Sequence, residues 1–95
     1  MEDIMFDDEL VLKRTEHIKK YLAEKADALT SLDEGQIKRF CEKWRFKLLY
    51  DSDSDVFWIG VHIARALDVN IPRDKRADSA IWLAERGIDL KGYVT

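Results

Sequence analysis

Between Asp8 and Leu29 the chain contains no glycine or proline, while Val11, Ile18, Leu22, Ala26 and Leu29 recur at spacings of seven, four, four and three. That period lays them along one side of an α-helix. Glu9 with Lys13 and Glu16 with Lys20 add i,i+4 ion pairs in the favourable orientation. In a chain of only 95 residues, a helix of this length obliges the remaining elements to cover its stripe.

The rest of the chain offers three more helices. Ser31 followed by Glu34 has the form of a capping box and predicts a second helix to about Trp44, with Ile37, Phe40, Cys41 and Trp44 on its apolar face. Asp51-Ser52-Asp53-Ser54-Asp55 reads as a turn in which Ser54 or Asp53 caps a third helix. That helix, Val56 to Leu67, is apolar nearly all round and belongs at the centre of a bundle, with Gly60 expected where a neighbour approaches closely. Pro72 suits the first position of a fourth helix, expected to turn Ala77, Ile81 and Ala84 inward, with Ala80 and Leu83 beside them, and to stop at Arg86-Gly87.

Residues 46–50 read either as a short strand or as a continuation of the second helix. The extended reading would pair them with residues 88–94 in one small two-stranded β element. The expected fold is therefore mainly α: a compact bundle of about four helices in a single domain spanning residues 1–95, with residues 1–8 as an acidic arm. That arm carries the apolar trio Ile4-Met5-Phe6, which could dock on the body.

No catalytic apparatus is legible. Asp51, Asp53 and Asp55 alternate like the opening of a calcium loop. However, Val56 stands where that loop needs glycine and His62 where it needs a bidentate glutamate. His17, His62 and Cys41 are the whole nitrogen and sulfur supply for a metal, and no two are one helical turn apart. His62 is expected as a hydrogen-bonded core residue and Cys41 as a small buried hydrophobe. A single cysteine allows no intramolecular disulfide. No phosphate loop or nucleophile elbow occurs, so no cofactor, metal or enzymatic activity is implied. The acidic start lacks the form of a secretory signal and no apolar run is long enough to span a bilayer. The expected location is the cytoplasm.

Charge is distributed unevenly. The total is −3, far from the basic balance of a general nucleic-acid binder. Yet Lys38, Arg39, Lys43, Arg45 and Lys47 are opposed only by Glu42 and interleaved with Phe40, Trp44 and Phe46. This mixture suits single-stranded nucleic acid or an acidic protein surface. It also suits the polar back of an amphipathic helix. Arg73, Lys75 and Arg76 form a second cluster at the start of the fourth helix, diluted by Asp74 and Asp78.

Two resemblances bear on function. Ile63 to Asn70, with Ala64, Leu67 and Val69 at the apolar positions, resembles part of a helix-turn-helix DNA reader, although Asp74 stands where that pattern needs an apolar residue. The run Trp58-x-Gly60-x-His62-x-Ala64, then Ile71-Pro72, Arg76, Ser79, Trp82-Leu83 and Arg86-Gly87, is similar to short uncharacterised proteins of bacteriophages and prophages over roughly the last 40 residues. That similarity implies a small accessory protein, acting by binding a host or phage protein and, if phage-encoded, in the host cytoplasm. The leading expectation is a non-enzymatic protein-binding module. The alternatives are a DNA-binding regulator and a subunit that self-associates through Phe57, Trp58 and Trp82.

Overall fold

In the computed structural model, residues 8–90 are described, with side chains from residue 12. Four helices follow one another: α1 (Asp8–Ser31), α2 (Glu34–Lys43), α3 (Asp55–Leu67) and α4 (Arg73–Ala84). They form a compact bundle, and no strand occurs among the described residues. Residues 46–50 are irregular and exposed rather than strand or helix, residues 88–90 of the expected pairing partner form no strand, and residues 91–94 of it lie outside the described part. The end of α2 explains this course. Phe46 donates its amide to the Cys41 carbonyl at 2.8 Å, and Arg45 adopts φ 60° to let the chain turn off the helix.

The helix limits follow local chemistry, with one correction at the α1–α2 junction. Ser31 does not cap α2. It is the last residue of α1, and its hydroxyl donates to the Ala28 carbonyl at 2.7 Å. The cap is Asp33, whose carboxylate accepts the Gln36 amide at 3.0 Å, and Leu32 at φ 52° makes the corner between the helices. Ser54 caps α3 as the turn composition predicts, accepting the Val56 amide. Pro72 stands one place earlier than expected, flanking α4 rather than opening it. At the far end Gly87 takes φ 75° and Ile88 donates back to the Leu83 carbonyl at 3.0 Å. Only a residue without Cβ adopts that turn freely.

The core gathers Ala26, Ala28 and Leu29 of α1, Ile37 of α2, Phe57 and Val61 of α3, and Ile71 of the α3–α4 turn. Three expectations about faces change. Of the α1 stripe only Ala26 and Leu29 are buried among the described side chains: Ile18 is 56% exposed, and every described side chain from residue 12 to 20 faces solvent. α4 turns Ser79 and Leu83 inward and leaves Ala77, Ile81 and Ala84 outside. Gly60 does not admit a neighbouring helix, since a Cβ there would meet nothing within 4 Å.

The rotation of α4 has a polar cause. α3 buries two polar side chains, His62 and Arg65, and both need partners. Ser79 meets them together. His62 Nδ1 lies 2.9 Å from its hydroxyl, and Arg65 donates to the same oxygen at 2.9 Å, to the Lys75 carbonyl at 3.0 Å and to the Thr30 carbonyl at 3.3 Å. A helix presenting Ala77 and Ile81 instead would take the Ser79 hydroxyl away from a buried guanidinium and imidazole, at a cost of about 1–3 kcal/mol.

Candidate functional site

The eight cations singled out from the sequence do not form one surface. Lys38 is held by Asp51 at 2.8 Å and by Glu34 at 3.0 Å, two carboxylates that raise its pKa, Asp51 foremost. Lys43 is held by Glu24 at 2.8 Å, and Glu24 also accepts the Trp44 indole N–H at 3.2 Å. The Lys43 bond holds the Glu24 carboxyl below the usual range. Two charges of the basic stretch are thus paired within the chain. Arg39 and Arg45 are exposed on α2 and on the turn that follows it. At the start of α4, Arg73 is exposed while Lys75 and Arg76 are half-buried. Val69, an apolar position of the helix-turn-helix pattern, is 79% exposed, and the neighbouring Ile71 is the residue that enters the core.

Lys47 has a different setting. It stands on an open apolar groove of about 380 Å³, lined by Tyr21, Lys25, Ala28 and Leu29 of α1, Ile37, Phe40 and Cys41 of α2, residues 46–50, and Val56, Phe57, Gly60, Val61 and Ala64 of α3. Lys25 and Lys47 are its only charged lining residues, and neither is in an ion pair among the described residues. Aromatic packing builds one wall. Phe46 stacks on Tyr21 and Phe40 at 6.0 and 5.9 Å, and Trp44 meets Tyr21 edge-on at 5.3 Å. Above that wall Leu48, Leu49 and Tyr50 are exposed, Leu49 to 77%. A run of large apolar side chains in solvent beside a concave apolar surface marks an interaction site more often than a stable free surface.

The groove holds no catalytic constellation. Cys41 is half-buried there, and burial pushes its thiol pKa up, away from the reactive thiolate. The nearest approach to a nucleophile and base is Ser79 beside His62, but both are buried between α3 and α4. Burial lowers the His62 pKa to about 4, with Arg65 and Arg86 adding repulsion. A neutral ring accepting the Ser79 hydroxyl proton, while that oxygen accepts from Arg65, links the three side chains, and the buried Arg65 Nε has no partner among the described residues. No cluster of three or more metal-ligating side chains occurs among the described residues. Asp51 serves Lys38 and the Ser52 amide instead.

The aromatic residues expected to mediate self-association are engaged internally. Phe57 is buried, Trp58 donates its indole N–H to the Ser52 carbonyl at 2.7 Å, and Trp82 stacks on His62 at 3.9 Å with the Arg86 guanidinium 3.5 Å from its ring centre. The sequence reading passed over Lys25, Tyr21 and Leu49. One signal was present: the unbroken apolar run Leu48-Leu49-Tyr50 directly after a helix stop.

No family model, curated protein or solved structure matches this chain. No helix among the described residues is long and apolar enough to cross a membrane.

Proposed function

We propose that this chain is a non-enzymatic protein-binding module, and that the groove between α1, α2, α3 and residues 46–50 is where it takes its partner. The observation that carries this reading is an open apolar trough, lined by no carboxylate from the described residues and rimmed by two lysines that are in no ion pair with them. Such a surface selects a segment with a few large apolar side chains flanked by acidic residues. The apolar contacts supply affinity, and the lysines orient the segment and speed encounter. A phage-type accessory protein, or an inhibitor acting on a host complex, is the setting that the similarity of the last 40 residues suggests.

The test is capture from host lysate by the tagged protein, with nuclease present, compared with the triple variant Lys25→Glu/Lys47→Glu/Leu49→Asp. All three side chains lie on the groove rather than in the core, so the variant keeps its helical content. A stoichiometric protein captured by the parent and lost by the variant supports the reading. Equal capture by both removes the groove from the function. Recovery that disappears with nuclease and falls steeply with salt would instead favour DNA binding through Arg73, Lys75 and Arg76.

A further inference from the structure

We propose that in the isolated protein the groove is filled by Ile4, Met5 and Phe6 of a second copy of this chain, with the exposed halves of the two α1 helices paired antiparallel and the arms exchanged reciprocally. This rests on the groove reading above and gives the groove a specific occupant.

The first argument is chemical. Ile4-Met5-Phe6 is preceded by Glu2-Asp3 and followed by Asp7-Asp8-Glu9, five carboxylates without a cation. It is an apolar trio with acidic flanks, the complement of an apolar trough whose charged lining is Lys25 and Lys47.

The second argument is the pattern of α1. Val11, Thr15, Ile18, Leu22, Lys25 and Leu29 follow one another at spacings of four, three, four, three and four, the seam of a coiled coil. Its last two members line the groove. The preceding two, Ile18 and Leu22, lie on the same side of the helix and are exposed, 56% and 36%. The seam therefore runs out of the groove and along a helix half whose described side chains, residues 12 to 20, are exposed.

The third argument is reach. From Asp8 to Tyr21, where the groove begins on α1, the helix rises about 20 Å. Ile4 can lie at most about 14 Å from Asp8 even with the chain fully extended. A copy cannot fill its own groove. A second copy can. With two α1 helices antiparallel and Thr15 at the crossing, Asp8 of one lies beside Leu22 of the other, which puts the groove within the length of chain that precedes Asp8. The same register brings Asp7, Asp8 and Glu9 to the stretch holding Lys19, Lys20 and Lys25, so opposite charges meet at both ends of the pair. A partner segment of the same chemistry then binds by displacing the exchanged arm.

The experiment uses the full chain. Light scattering across a concentration series should show a dimer. In Ile4→Asp/Phe6→Asp its dissociation constant should rise at least about tenfold, with the circular dichroism of the four described helices retained. Covalent trapping tests the route directly. Met5→Cys treated with diamide, at a pH high enough to ionise the buried thiol of Cys41, should give a band at twice the chain mass on a non-reducing gel. In Met5→Cys/Cys41→Ser that band should vanish, because the two exchanged arms lie in separate grooves. An excess of a synthetic peptide of residues 1–9 should dissociate the dimer. A persistent monomer, a dimer indifferent to Ile4→Asp/Phe6→Asp, or a cross-link confined to one chain overturns the arm exchange. The groove reading is judged separately by partner capture with the Lys25→Glu/Lys47→Glu/Leu49→Asp variant.

Discussion

The interface between α3 and α4 and the face formed by α1, α2 and residues 46–50 solve opposite problems. At the first, polar side chains are inside. His62, Arg65 and Ser79 are each less than a tenth exposed and bonded to one another, and Leu83 beside them is fully buried. At the second, apolar side chains are outside. Ile18, Phe46, Leu48, Leu49 and Val56 are exposed, while the charges around them pair at the surface, as Lys38 does with Asp51 and Lys43 with Glu24. The first arrangement turns its polar groups on one another, leaving the buried Nε atoms of Arg65 and Arg76 without partners among the described residues. The second leaves hydrophobic area unused, which is what a binding surface must do. The two arrangements share α3, whose His62 and Arg65 meet α4 while Val56 and Gly60 line the groove.

This contrast can be broken by mutation. The largest effect is expected from Leu83→Ala, a cavity at a fully buried site, which should cost about 2–5 kcal/mol in denaturant unfolding. Leu49→Ala, the same truncation at a 77% exposed position, should stay within about 0.5 kcal/mol. Equal losses would mean that residues 46–50 carry core stability and the division is wrong.

Acid should weaken the buried end first. The folded-state pKa of His62, about 4, lies below its ordinary value of 6.5, so the unfolded chain takes up this proton more readily. The associated stability is complete above pH 6.5 and is lost as pH falls toward 4, amounting to up to about 3 kcal/mol. The depressed carboxyls of Glu24, Glu34 and Asp51 release their contributions only at lower pH, as they become protonated. Comparing the parent with His62→Gln between pH 6.5 and 4.5 isolates the histidine. A parent curve as flat as the variant's would place His62 in a wetter site.

Arg65→Met should cost about 2–3 kcal/mol, because it leaves the Thr30 and Lys75 carbonyls and the Ser79 hydroxyl without their donor. Thermal unfolding of Arg65→Met with and without Ser79→Ala sharpens this. The two losses should add to less than their sum, since they remove one network. Ser54→Ala should cost about 1 kcal/mol through loss of the α3 cap. The smallest change should be a gain. Gly60→Ala places a methyl in open space within a helix and should stabilise by up to about 1 kcal/mol. A loss there would show that the groove floor is tighter than its geometry indicates.

Local chemistry made much of the fold legible. The uninterrupted period of α1, the Ser54 cap, the polar turn at 51–55 and the glycine stop at Gly87 each act through neighbouring residues, so their consequences can be read along the chain. The cap of α2 was misplaced by two residues because Ser31 and Asp33 are both good caps, and only the helical state of Ser31 decides between them. Of the candidate site, Lys47 was legible as a cation among aromatics, but Lys25 was not, lying on another helix.

What the sequence determined by itself is the number, order and approximate limits of the helices, since periodicity and capping are interactions within a few residues. The tertiary structure decided which face of each helix is inside. α4 turned toward Ser79 rather than Ala77 and Ile81 because a guanidinium and an imidazole on α3 needed acceptors and a donor more than two alanines and an isoleucine needed burial. It also decided that half of the α1 stripe stays in water, because the two short helices packed on α1, α2 and α3, cover only the length that they can reach. Burial is a property of what stands opposite, and no stretch of sequence contains its own neighbour.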